Sequence, residues 1–158
     1  MQIAMSPVGS NNQGFTLFEL VLVLLLIGIS TAIVLPNLAK GLRDREVRSS
    51  ALGLAAAARD LRSRALLDGV PQPLVLNLRE NSYRAAHATE VRLPAEISFV
   101  SVDGGEILDA DRKRFYFFPN GSSLGGAIAL AGAGKSVSYL VRLEAMTGRV
   151  EVSRGDNS

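Results

Sequence analysis

Between Leu20 and Leu35 the chain reads LVLVLLLIGISTAIVL, an apolar run broken only by Gly28, Ser30 and Thr31. Carried back to Phe15 and coiled as an α-helix, it is about 31 Å long, close to the thickness of a bilayer's hydrocarbon core. A helix that is apolar on every side can also be a buried core helix, but that requires a large protein around it, and the chain has only 158 residues in all. A cleaved secretory signal is the nearer rival. No Ala-x-Ala site closes the run, however, and no Lys or Arg precedes it. A membrane span is the reading the run supports best. It also accounts for a mean hydropathy of +0.22 in a chain with 20% charged residues, because the apolar content is gathered at one end.

Composition removes several chemistries. With no cysteine there is no disulfide framework, no Cys-type zinc site and no thiol nucleophile, and one histidine cannot build a multi-histidine metal centre. No nucleophile and base constellation is visible either, so the chain reads as a non-enzyme with no cofactor and no metal.

Glu19 is the only charged side chain among the first 39 residues. At the edge of an apolar span its carboxylate costs about 2 to 3 kcal/mol or more, which marks it as a functional residue in need of a cation. The nearest basic side chain is Lys40. Were the chain cut just before Phe15, the new α-amine would lie four residues away. It could pair with Glu19 within one chain or between neighbouring copies.

Gly14, Phe15, Thr16, Leu17, Phe18 and Glu19, followed by the apolar run and Pro36, closely resemble the processing site of type IV prepilins and type II secretion pseudopilins. The resemblance implies that a prepilin peptidase cuts between Gly14 and Phe15 and methylates the Phe15 amine. It further implies that Glu19 registers the subunit against a neighbour's amine during filament assembly. Two features depart from the pattern. The leader, 1–14, has no Lys or Arg, and Lys40, Arg43, Arg45 and Arg48 follow the span, so a count of positive charges alone would leave the C-terminal part in the cytoplasm. The motif implies the opposite orientation.

Beyond the span, Val47, Ala51, Leu54, Ala58, Leu61 and Ala65 recur at alternating spacings of four and three, an amphipathic helix continuing to about Leu67. Pro36 should kink it and Gly41 loosen it. Asp68, Gly69 and Pro71 supply the stop. From there the texture becomes β-like, with candidate strands at 74–78, 82–86, 90–93, 97–102, 115–118, 127–130, 137–143 and 149–152 between turn residues. The expected fold is α+β and pilin-like: one long N-terminal helix, its first half in the membrane, packed on a mainly antiparallel sheet. Its divisions are a leader at 1–14, a transmembrane helix at 15–37, an amphipathic continuation at 38–68 and a β-rich domain at 69–158. The order of an aromatic strand at Phe115 to Phe118, a turn at Pro119, Asn120, Gly121 and Ser122, and a final Thr147, Gly148, Arg149 hairpin resembles the H-type minor pseudopilins (the GspH/FimT-like group).

Other motifs favour plainer roles. Gly132 to Ser136 invites a nucleotide-binding reading, but a P-loop needs glycine where Ala129 stands. His87 has no acid or nucleophile at a recognisable spacing. Asn120, Gly121 and Ser122 form a glycosylation acceptor in letters and a turn in chemistry. Arg154, Gly155 and Asp156 lie in a polar tail. Glu106, Asp109 and Asp111 could bind calcium, but the spacing is not that of an EF-hand and Arg112, Lys113 and Arg114 follow at once.

The implied function is a structural one: a minor pseudopilin of the type II secretion pseudopilus, at or near the filament tip. It would be held in the bacterial inner membrane by a single pass, with the C-terminal domain in the periplasm. Its partners would be the prepilin peptidase, other pseudopilins, inner-membrane lipid and secreted proteins. The alternative is a FimT-like minor pilin acting in pilus assembly or DNA uptake. Nucleic acid is the weaker partner, because Arg149 and Arg154 are interleaved with Glu151 and Asp156 and the basic excess lies at residues 40–64, beside the membrane.

Overall fold

The computed structural model describes residues 15–155 except 87 and 135–137, and within its helix the side chains of 32–43 are also outside the described residues. The chain divides into two units, Met1–Ala39 and Lys40–Ser158. One helix, α1 (Leu17–Asp68), contributes to both.

In the first unit the helix starts at a local cap. The Thr16 hydroxyl accepts a hydrogen bond from the Glu19 backbone N–H at 3.2 Å, and Leu20 N–H donates to the Thr16 carbonyl at 3.2 Å. Thr16 is therefore the N-cap and Glu19 the third helical residue, where a carboxylate also meets the positive end of the helix dipole. From Phe15 to Ile29 the large apolar side chains are all exposed, from 43% for Leu22 and Val23 to 83% for Leu17. Thr31 turns its hydroxyl back onto the Ile27 carbonyl at 2.7 Å, so its polar group is satisfied within the helix. Among the described residues no helix is long and apolar enough to cross a membrane. The expected span continues through Ala32 to Leu35, whose side chains lie outside them. So do those of Pro36 and Gly41, on which the expected kink and loosening rest, and of Lys40 and Arg43.

In the second unit α1 buries a narrow stripe. Val47, Ala51, Leu54, Ala55, Ala58, Leu61 and Ala65 are each at most 1% exposed. All six residues of the predicted stripe are in it, and Ala55 joins them. Four of the seven are alanine, small enough for the backbone to approach a sheet closely. The helix ends as the chain predicts: Gly69 takes a φ of 68° and its N–H caps the Ala65 carbonyl at 3.1 Å.

The strands form two antiparallel sheets rather than one. The first has the order β3 (Val91–Arg92), β2 (Ser82–Ala85), β1 (Gln72–Asn77), β6 (Arg112–Phe117), β5 (Glu106–Ile107). The second has the order β4 (Ile97–Gly104), β7 (Gly126–Gly132), β8 (Ser138–Leu143), β9 (Val150–Gly155). Leu74, Leu76, Phe115 and Phe117 from the first sheet share one core with Ile97, Ile128, Leu130, Val141 and Leu143 from the second and with the α1 stripe. Two sheets arise because β4 leaves the first sheet and pairs with β7, in the register Ile97 to Gly132, with an irregularity between Phe99 and Ser101. The expected α+β class and the mainly antiparallel pairing hold, with the strands divided between two sheets.

Candidate functional site

The residues singled out by the sequence fall into two groups. The processing and assembly group is Gly14, Phe15, Glu19 and Pro36. Gly14 lies outside the described residues; Phe15 is 82% exposed just before the cap, and Glu19 is exposed in the first turn. The cap adds a role that the charge argument misses. Glu19 completes a Thr-x-x-Glu sequence, and Thr16 fixes where the helix begins relative to Phe15. The apolar side chains after it leave no covered face from Leu20 to Ile29, so this segment needs lipid or protein around it on all sides.

The second group belongs to the sheets. Glu106, Asp109 and Asp111 do not converge on an empty space. Glu106 pairs with Arg114 at 2.9 Å, Asp109 with Arg112 at 2.6 Å and Asp111 with Arg79 at 4.0 Å. The Arg112 guanidinium, followed by the Asp111 N–H, holds the Asp109 carboxyl below its ordinary range. Among the described residues no three His, Cys, Asp or Glu side chains are grouped to hold a metal. Gly132 ends β7, Ala133 and Gly134 turn, and β8 begins at Ser138, so the motif follows a strand and precedes a strand, not a helix; Lys135 and Ser136 are outside the described residues. His87 and Asp156 are outside them too. Asn120 serves the turn, its Oδ1 accepting from the Ser122 N–H at 3.1 Å and the Ser122 hydroxyl at 2.7 Å.

Arg62 is one of the basic residues of the 40–64 stretch. In the structure its Nε donates to the Thr147 carbonyl at 2.9 Å and the Gly121 carbonyl at 3.2 Å. One helix side chain thus ties the turn after β6 to the turn before β9. Gly121 and Gly148 make this approach possible, with φ of 84° and 59°. A Cβ on Gly148 would overlap the Gly121 carbonyl and come within 3.0 Å of Arg62 Nε. Next to it, Arg59 Nη2 donates to the Val150 carbonyl at 2.9 Å. Farther along α1, Asp44 accepts from the buried Tyr139 hydroxyl at 3.0 Å; burial first, and then Asp44, pushes that phenol above its ordinary 10.0.

Residues 9–35 match the model of the prokaryotic N-terminal methylation motif. Over 119 residues, 75% of this chain and 70% of the relative, the sequence is 27% identical to type II secretion system protein H of Xanthomonas campestris pv. campestris. The fold is similar to that of the minor pseudopilin EpsH from the type 2 secretion system of Vibrio cholerae. There the TM-score is 0.58 at 11% identity, over 69% of this chain and 97% of that one. The type IV minor pilin FimU of Pseudomonas aeruginosa shares it less closely, with a TM-score of 0.52 at 14% identity, over 69% of this chain and 89% of that one. The chain thus carries a prokaryotic N-terminal methylation motif, is similar over most of its length to a type II secretion system protein H, and shares its fold with a minor pseudopilin.

Proposed function

We propose that this chain is a minor pseudopilin, a structural subunit and not an enzyme, which enters a type II secretion pseudopilus at or near its tip. The observation that carries the reading is the segment from Phe15 to Ile29: apolar on every side, uncovered within the chain, and bearing one carboxylate in its first turn. Prepilin peptidase releases 1–14 and methylates Phe15. The segment 15–37 then holds the subunit in the inner membrane, with the sheets in the periplasm. During assembly Glu19 meets the amine of an adjacent subunit, which offsets the cost of a carboxylate in lipid. Pro36 lets the helix bend on leaving the membrane.

The chain has no native cysteine, so one introduced thiol reports unambiguously. In cells making the secretion apparatus, Leu24→Cys should form oxidative adducts with other pilin-like subunits carrying a cysteine in their own apolar helix, and Glu19→Ala should remove them. A reporter fused after Ser158 should be active only in the periplasm. Cytoplasmic reporter activity, or adducts indifferent to Glu19, would refute the reading.

A further inference from the structure

Some arginines of the second unit lie against a carboxylate and others do not; of the latter, Arg59 and Arg62 are the two that line one cleft. Arg79, Arg92, Arg112 and Arg114 around the first sheet each lie against a carboxylate, as does Arg64 on α1. Arg59 and Arg62 do not. Their hydrogen bonds go to the carbonyls of Val150, Gly121 and Thr147, and among the described residues neither has an acidic partner. Carbonyl oxygens orient a guanidinium without neutralising it, so two full positive charges remain on one face of α1, three residues apart. They line a cleft of about 400 Å³ with Ser63, Thr147, Gly148 and Arg149.

The cleft is organised before anything enters it. Arg62 is held at Nε by two turns, and its Nη atoms make no hydrogen bond among the described residues. Arg59 spends only Nη2. Donors fixed by the fold lose little freedom when an acceptor arrives. The rim selects the kind of anion. Arg149 is 3.4 Å from Glu151, and Glu144 accepts from the Thr147 hydroxyl at 2.6 Å. Those two carboxylates oppose a densely charged phosphodiester chain, whereas a single carboxylate needs only the Arg59 and Arg62 donors.

We propose that this cleft docks an acidic peptide segment of a partner protein, with a carboxylate seated against Arg59 and Arg62 and the rim closed by Arg149. The test is fluorescence polarisation of labelled hexaglutamate with the full chain in detergent, which requires no filament and so is independent of the assembly reading. Hexaglutamate should bind saturably and hexaglutamine should not. Arg59→Gln should weaken binding about fivefold or more, since it removes a charge-assisted contact, and Arg149→Gln should weaken it less, because Glu151 already pairs that charge. Arg59→Lys should recover part of the loss, and Arg112→Gln on the first sheet should stay within about twofold of the parent because its charge is already paired. Thermal unfolding of each variant checks that the fold is kept. Absence of saturable binding, equal losses for Arg112→Gln and Arg59→Gln, or tighter binding of a single-stranded oligonucleotide of the same charge would overturn the proposal.

Discussion

The two stretches of α1, 17–31 and 44–68, share one helical backbone and treat their apolar residues in opposite ways. In the first, Leu, Val and Ile point in every direction and remain 43% exposed or more. In the second, seven residues on one side are at most 1% exposed, four of them alanine, and the other faces carry charge. The contrast separates two sources of stability. The second stretch is covered by its own sheets, through close packing that depends on small side chains. Among the described residues nothing covers the first, which fits the proposed role of an assembly subunit in a membrane.

Substitutions should respect that division. Truncating Leu54, fully buried in the stripe, should cost about 2 to 5 kcal/mol of unfolding free energy in denaturant melts of the full chain. The same change at Leu24 should leave the sheet domain's transition within about 0.5 kcal/mol; comparable losses at both positions would erase the distinction.

Gly148→Ala attacks the second stretch from the side of the turns. A side chain at a φ of 59° against Gly121 and Arg62 should cost about 1 to 3 kcal/mol, with amide exchange quickening first at 121 and 147–149. At the start of the first stretch, Thr16→Ala removes the cap accepted from Glu19 and should cost about 1 kcal/mol of local helix stability. Faster exchange at the Glu19 amide, with no change in the unfolding of the sheets, is the expected signature.

The smallest effect concerns pH. The Tyr139 phenol is raised in the folded chain by burial and by Asp44. Its contribution is therefore complete below the unfolded value near 10.0 and is lost as pH rises through the folded one. Compared with the parent, Tyr139→Phe should show a stability difference that is flat below that value and shifts in the variant's favour above it. Tyr83, raised by burial alone, provides the internal reference.

Much of this organisation is legible in the residues, and the exceptions share a cause. The apolar run, the alternating four-three stripe and the Gly69 stop are local patterns with a fixed period, and they appear where that period puts them. The division of the strands into two sheets is not local, since nothing within 97–104 says that its partner is β7 and not β3. β5 and the start of β6 escape for a related reason. Arg112, Lys113 and Arg114 look like loop residues until Glu106 and Ile107 come into register opposite Arg114 and Lys113 and Asp109 pairs with Arg112. Arg62 shows a helix face turned outward, and its acceptors lie 59 and 85 residues further on. The Thr16 to Glu19 cap, by contrast, is written in four consecutive residues. It is overlooked when Glu19 is weighed only as an assembly charge.

The central claim is that the first stretch begins, in the working protein, at Phe15. Intact-mass analysis of the chain made together with a prepilin peptidase tests it most directly. The expected product lacks 1–14 and carries one added methyl group on the Phe15 amine. A chain that keeps its leader, or begins at any other residue, would contradict the account.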